Sequence, residues 1–169
     1  MTEFKVRQAG ERDIPTLTSQ RHRMFEDMHS PPSEDHAVHD NAFPGWAKKE
    51  IKANRFFCFL VQTDDGRTVG GATLWLREVQ PYPGFAGGKV PYLMSVYTEP
   101  EFRGRGVATL VIKRAMDWAN ERGFHSMSLH ASKDGRKIYE SLGWKSGNEM
   151  DYEFSSKQET RRPPRRRAR

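Results

Sequence analysis

The segment YTEPEFRGRGVA, at residues 97–108, decides the fold. It follows an apolar run at Val90–Thr98 and precedes apolar residues at helical spacing, so it joins a strand to a helix. Gly104 and Gly106 carry no side chain, so a ligand can approach the backbone there. The following helix presents unpaired N–H groups and the positive end of its dipole. This arrangement favours a bound phosphate or pyrophosphate, to which Arg103 and Arg105 would add charge-assisted contacts.

The glycine pair alone does not decide the function, because a tight turn that packs a helix onto a sheet can carry the same residues. A P-loop is excluded, since the pattern Gly-x-x-x-x-Gly-Lys-Ser/Thr is absent. A Rossmann fingerprint is excluded as well, because position 109 is threonine where that motif needs its third glycine.

Hydrophobic periodicity on either side of this segment predicts alternating strands and helices. Strands are expected at Phe4–Val6, Phe56–Gln62, Thr68–Val79, Val90–Thr98, Met127–His130 and Trp144–Phe154. Helices are expected at Leu17–Met28, Trp46–Arg55, Val107–Ala119 and Arg136–Leu142, the last two ended by Gly123 and Gly143. The prolines and polar residues of Ser30–Pro44 predict a loop, and Gln80–Lys89 predicts a flexible connection.

Two short motifs resemble the signatures of the GNAT superfamily of N-acetyltransferases. Arg103, Gly106 and Ala108 are similar to its Arg/Gln-x-x-Gly-x-Gly/Ala pattern, and the segment GRKIYESLGW at residues 135–144 is similar to its second signature. The resemblance extends from about Phe4 to Phe154. It implies an α/β fold of the α+β type, with one mixed, mostly antiparallel twisted sheet, a central parallel pair of strands and flanking helices. We therefore expect a domain at 1–154 and a basic, disordered tail at 155–169.

The resemblance also implies acetyl-CoA as cosubstrate, with its pantetheine arm paired to backbone between two strands that splay apart. The residues that would contact it are Val96, Tyr97 and Thr98 through their backbone, Arg103, Gly104, Arg105, Gly106, Val107, Ala108 and Thr109 around the pyrophosphate, Ser132 and Tyr139. Ser132 stands where many relatives carry an asparagine, which puts that contact in doubt.

Acetyl transfer to an amine needs a neutral amine, a polarised thioester carbonyl and a proton for the departing thiolate. By the resemblance, backbone N–H groups near Val96 would polarise the carbonyl and Tyr139 would be the general acid. The predicted strand before the glycine loop holds neither Glu nor His, so Glu78 on the preceding strand is the candidate base. A solvated charge at a strand end explains Glu78 equally well. Glu26 and Asp27 could bind a cationic amine.

Composition bounds the remaining roles. The net charge of +6 resides in the six arginines of residues 161–169, so nucleic acid is expected only as a weak partner of that tail. Cys58, the single cysteine, is expected in the core, and the histidines form no pattern that predicts a metal.

No apolar run reaches membrane-spanning length, so a cytoplasmic protein without a membrane partner is expected. A homodimer is common in the family, although no residue requires one.

The leading hypothesis is an enzyme that acetylates a primary amine of a small molecule. Acetylation of a protein or peptide amine is an alternative within the same class. A non-catalytic acyl-CoA-binding sensor is an alternative from a different class, and the Tyr139 motif argues against it.

Overall fold

The computed structural model describes residues 3–28 and 34–150, with the backbone alone for residues 34–36. Its strands are β1 (Phe4–Ala9), β2 (Phe56–Thr63), β3 (Thr68–Val79), β4 (Gly88–Thr98) and β5 (Ser128–Leu129). Its helices are α1 (Ile14–Asp27), α2 (Glu34–Lys52), α3 (Val107–Glu121) and α4 (Arg136–Ser141), with 3-10 turns at Glu11–Asp13 and Pro100–Phe102. None of these helices is long and apolar enough to cross a membrane.

The strands form one sheet in the order β1-β2-β3-β4-β5. Neighbouring strands are antiparallel except β4 and β5, which run parallel. The parallel pair follows from the connection through α3, because a helix that crosses over a sheet returns the chain in the same direction. The predicted mixed, mostly antiparallel sheet with one parallel pair is confirmed, but the pair lies at the edge of the five described strands and not at the centre, because the predicted last strand is not found beside β5 in the described residues.

Strand β2 shows why the sheet is covered on both sides. Phe57, Phe59 and Val61 pack with α3 in one cluster, whereas Phe56, Cys58 and Leu60 pack with α1 and α2 in another. We call these two sides of the sheet the α3 face and the α1–α2 face. Cys58 is fully buried, and burial raises the pKa of its thiol to about 12. Its predicted role as a core residue is confirmed.

The predicted loop at Ser30–Pro44 is wrong from Glu34 onward, since α2 begins there and continues through Pro44. The predicted shorter helix at Trp46–Arg55 is the second half of α2, which ends at Lys52. Pro44 removes one backbone hydrogen bond, but Phe43, Ala47 and Glu50 are buried at helical spacing. Their packing against the sheet outweighs the low helix propensity of proline, which tertiary contacts often override.

The predicted last strand at Trp144–Phe154 is not found in its described part, because residues 144–150 have no regular structure. Trp144 instead packs against the core, where its ring lies 6.0 Å from that of Tyr139. Trp144 is apolar because it packs against the core, and such a residue in the sequence is also typical of a strand. Residues 151–154 and the tail at 155–169 lie outside the described residues.

Strand β3 and helix α3 approach each other closely at Gly70. A Cβ there would lie 2.7 Å from Val107 Cγ1 and 2.8 Å from the Tyr97 carbonyl oxygen. Because one of these neighbours is backbone, it cannot yield as a flexible side chain would.

We expect Gly70→Ala to lower the free energy of unfolding by about 1–3 kcal/mol, the usual cost of overpacking a core. Gly45→Ala is the control, because Gly45 lies within α2 with open space around it. That change should raise stability by up to about 1 kcal/mol, since alanine favours a helix. Thermal unfolding followed by circular dichroism measures both. An unaltered midpoint for Gly70→Ala would contradict the close packing.

Candidate active site

Strands β4 and β5 pair over a short distance and then separate. In the described part of the chain they are in register at Tyr92 with Ser128 and at Leu93 with Leu129, and nowhere else. Strand β4 continues to Thr98, whereas β5 ends at Leu129. The backbone groups of β4 beyond Leu93 that point away from β3 therefore have no strand partner. An extended ligand can hydrogen-bond to such groups as an added strand does.

A β-bulge in β4 lies where the two strands separate. Gly71 pairs with Tyr97 and Thr73 pairs with Met94, so Ser95 and Val96 together face the single residue Ala72. Ser95 has a φ of 51°, which is uncommon for a residue with a side chain. A bulge bends its strand and changes the direction of the backbone groups. This bulge therefore bends β4 at the place where its pairing with β5 ends.

The glycine segment after β4 has the geometry that an anion site needs. Gly104 and Gly106 have φ values of 71° and 83°, and no atom lies within 4 Å of where a Cβ would stand. Gly106 is the N-cap of α3, and no side chain caps the helix. The first amides of α3 are therefore without an intrahelical acceptor, and its first turn holds no acidic residue to repel an anion.

Thr98 adds a polar group at the end of β4. Its hydroxyl oxygen is buried and has no hydrogen-bond partner within the described residues. A buried hydroxyl without a partner costs free energy unless a ligand or water satisfies it. We call the opening where β4 and β5 separate the cofactor cleft. Its unpartnered β4 backbone, the uncapped α3 and this hydroxyl together fit a long, phosphorylated ligand such as acetyl-CoA.

The two arginines of the segment are already engaged. Arg103 donates through Nε to the Thr98 carbonyl oxygen at 3.0 Å, and its Nη2 forms an ion pair with the Asp27 carboxylate. Arg105 places its guanidinium 5.5 Å from the Phe4 ring and 5.2 Å from the Phe102 ring. Arg103 thus connects the end of α1 to the glycine segment, and the groups of the segment without a partner at the start of α3 are backbone amides.

Tyr97 and Val96 point to opposite faces of the sheet. Val96 packs in the cluster on the α3 face. The buried Tyr97 hydroxyl donates to Glu99 at 3.3 Å, and Glu99 pairs with Arg23 of α1 at 2.8 Å. Burial, followed by the charge of Glu99, raises the pKa of Tyr97. Any contact of these two residues with a ligand in the cleft would therefore involve their backbone.

Tyr139, Ser132 and Gly135 form a compact group around the start of α4. The Ser132 hydroxyl accepts a hydrogen bond from the Gly135 amide at 3.1 Å. A Cβ on Gly135 would lie 3.0 Å from the Tyr139 ring and 3.1 Å from the Ser132 hydroxyl, so only glycine lets the ring lie this close. Burial raises the pKa of Tyr139, so its phenol stays protonated at neutral pH. It is thereby suited to donate a proton.

The structure does not bring Glu78 close to the bulge of β4. Glu78 is exposed near the end of β3, where it faces Lys89 across the strand pair. It lies six positions along β3 from Ala72 at the bulge, a distance of about 20 Å at roughly 3.3 Å per residue. Its role as a base stays a prediction.

The acidic residues of α1 have other partners. Asp27 pairs with Arg103, and Glu26 lies 3.4 Å from His22. His22 also contacts Asp40 of α2 at 2.6 Å. The contact between His22 and Asp40 borders a second cleft, of about 500 Å³, between α1 and α2. It is lined by Ile14, Pro15, Thr18, Ser19, His22, Asp40 and Pro44. Because none of the lining residues belongs to β4 or the glycine segment, this cleft is separate from the candidate cofactor site.

His29 and the His36 side chain lie outside the described residues. Over the rest of the chain, no group of three His, Cys, Asp and Glu side chains is placed to hold a metal ion.

Comparison with known proteins identifies the family. The sequence profile of the acetyltransferase (GNAT) family matches residues 19–144, which is most of the described chain. The chain therefore belongs to the acetyltransferase (GNAT) family, as the two motifs predicted. An uncharacterized N-acetyltransferase of Methanocaldococcus jannaschii is 24% identical over 112 residues, which are 57% of this chain and 47% of that protein. The chain thus spans about half the length of that curated relative.

Solved structures give the same fold. A GCN5-related N-acetyltransferase from Ralstonia eutropha is 24% identical, with a TM-score of 0.81 over 90% of this chain and 99% of that one. A predicted acetyltransferase from Clostridium acetobutylicum, solved with acetyl-CoA, is 26% identical, with a TM-score of 0.81 over 90% and 96%. An aminoglycoside N-acetyltransferase in complex with CoA is 19% identical, with a TM-score of 0.70 over 92% and 97%.

We expect Gly106→Val to weaken CoA binding at least tenfold, because its side chain would enter the space over the helix terminus and strain a left-handed backbone. Isothermal titration calorimetry with CoA measures the effect.

Gly66→Val is the matched control, since Gly66 has the same φ of 83° and open surroundings in the β2–β3 turn. Both variants should lose about 1–3 kcal/mol of stability from backbone strain. Equal CoA affinity in the two variants would show that the glycine segment does not bind the ligand.

Proposed function

We propose that this chain transfers an acetyl group from acetyl-CoA to a primary amine of a small molecule, by direct attack of the amine on the thioester. The observation that supports the proposal most strongly is the unpartnered backbone of β4 next to the uncapped N-terminus of α3. One feature suits an extended amide-containing arm and the other suits a pyrophosphate. Coenzyme A joins these two chemical groups in one molecule.

Each part of the cleft has a distinct task in this proposal. The amides of Val107, Ala108 and Thr109 would hold the pyrophosphate, with the Thr98 hydroxyl beside them. Backbone amides at the Ser95–Val96 bulge are the candidates to stabilise negative charge on the thioester oxygen. Acetyl-CoA supplies the activated acyl group. Tyr139 would donate the proton that the departing sulfur requires.

A small-molecule acceptor is supported by the surface beside the bulge. Trp46, Trp75 and Tyr92 are partly exposed on the α1–α2 face, and the rings of Trp46 and Trp75 lie 5.8 Å apart. Aromatic faces attract cationic amines and cover apolar carbon chains. A protein of the same fold bears the name aminoglycoside N-acetyltransferase, so its named acceptor is a small polyamine.

A panel of amines tests the proposal directly. Amino acids, polyamines, aminosugars and lysine-containing peptides are incubated with the full chain and acetyl-CoA, and the acetylated product is measured by mass spectrometry. We expect transfer to small amines well above that to peptides. Transfer to peptides alone would favour a protein acetyltransferase, and CoA binding without any transfer would favour a sensor.

We expect Tyr139→Phe to lower kcat by about 10²–10⁴-fold, the usual contribution of a positioned acid, while CoA affinity stays nearly unchanged. Steady-state kinetics at saturating amine and calorimetry with CoA measure the two quantities. Tyr82→Phe is the control, since Tyr82 is exposed on the Gln80–Lys89 connection. A normal kcat in Tyr139→Phe would remove the acid role.

A further inference from the structure

The position of His130 follows from the register of β5. Ser128 pairs with Tyr92 and Leu129 pairs with Leu93, so His130 stands at the next position, opposite Met94. This is the first position at which the two strands no longer pair. His130 therefore lies at the mouth of the cleft, one residue of β4 before the Ser95–Val96 bulge.

The side chain of His130 belongs to the α1–α2 face. Leu129 packs in the cluster on the α3 face, and successive side chains of an extended chain alternate. Met94, which stands opposite His130, packs against the cluster on the α1–α2 face. His130 is exposed, and its ring has no hydrogen-bond or ion-pair partner within residues 3–28 and 34–150.

Other titratable groups on this side of the cleft have partners in the described structure. Glu99 is bound by Arg23 and Tyr97, and Glu50 is bound by Arg55 and Trp75. The Tyr92 ring lies 4.1 Å from the Arg77 guanidinium. The carboxylates of Glu99 and Glu50 therefore already accept hydrogen bonds from neighbouring side chains. His130 is the group near the bulge whose ring nitrogens remain available.

The two faces of the sheet have different roles in the transfer. The cofactor's phosphates would lie at the N-terminus of α3, and Tyr139 packs on the same α3 face. The leaving sulfur therefore belongs to that face. An amine adds to the planar thioester carbonyl from above or below its plane, and the α1–α2 face, where His130 stands, is the side that the phosphates and Tyr139 leave open to it.

We infer that His130 is the catalytic base that takes the proton from the attacking amine. This assignment rests on the proposed function and replaces Glu78, which lies about 20 Å from the bulge along β3 at roughly 3.3 Å per residue. Imidazole is the side chain that most often serves as a base near neutral pH.

The step balances in atoms and protons. The neutral amine nitrogen forms a bond to the acetyl carbon, and the bond between that carbon and sulfur breaks. The nitrogen gives one proton to a ring nitrogen of His130, and the sulfur takes one proton from the Tyr139 phenol. Solvent then removes the proton from His130 and restores that of Tyr139, so the products are the N-acetyl amine and the free thiol of CoA.

The first test measures access to His130 without requiring turnover. Diethyl pyrocarbonate modifies exposed imidazoles, and mass spectrometry reports the modification at each histidine. We expect CoA to protect His130 at least several-fold and to leave His125, an exposed histidine that precedes β5, unchanged. Equal modification of His130 with and without CoA would overturn the inference.

The second test measures the proton transfer. With the best amine of the panel, His130→Ala should lower kcat by about 10²–10⁴-fold, whereas His125→Ala and Glu78→Gln should keep it within about twofold of the wild type. Free imidazole should restore product formation in His130→Ala and have no such effect in Tyr139→Phe. CoA affinity measured by calorimetry should be unchanged in His130→Ala.

These measurements distinguish the proposed acetyl transfer from the role of His130 as its base. Failure of the wild-type chain to bind CoA would contradict the proposed function. Normal CoA binding with a normal kcat in His130→Ala, or a large loss in Glu78→Gln, would overturn the role of His130 alone.

Discussion

The loss of strand pairing beyond Leu93 is the constraint on which the rest of the site depends. A sheet normally satisfies the backbone groups of an interior strand on both sides. Here β4 continues for five residues after its last pair with β5, while β3 remains bonded on its other side. The bulge at Ser95 and Val96 bends β4 at that place, and the left-handed φ of Ser95 is a local strain that the surrounding sheet holds.

The sheet also separates the two groups of candidate site residues. Helix α3 follows β4 through the glycine segment, and its buried residues pack with Tyr139 on the α3 face. Helices α1 and α2 cover the other face and leave the aromatic surface near Trp75 partly exposed. Arg103 connects the glycine segment to α1 through its ion pair with Asp27.

Much of the fold could be predicted because its signals are local. The strands predicted at Phe56–Gln62 and Thr68–Val79 match β2 and β3 closely, and the glycines at 123 and 143 end their helices with positive φ. The glycine segment between a strand and an amphipathic helix predicts an anion site, although a tight turn that packs a helix onto a sheet can carry the same residues. The extent of α2 could not be predicted, because packing of Phe43 and Ala47 outweighs Pro44.

The finer features of the site depend on pairing between distant residues. The residue types do not predict the bulge, because Ser95 is neither glycine nor asparagine. The bulge arises from the register of β4 with Gly71 and Thr73 of β3. The position of His130 likewise depends on a two-residue pairing with β4. Alternation along a strand does not by itself show which ligand or neighbouring strand the His130 side chain meets. Glu78 is a candidate base by its place in the sequence, whereas register puts it at the far end of β3.

The central claim is that backbone amides of β4 beyond Leu93 and of the segment from Gly104 to Ala108 bind the cofactor. Solution NMR of the uniformly labelled chain, titrated with CoA, tests it residue by residue. The account predicts that the largest amide shifts fall at residues 94–98 and 104–109, with slower hydrogen exchange at the same amides. Shifts confined to another surface, such as the cleft between α1 and α2, would contradict it.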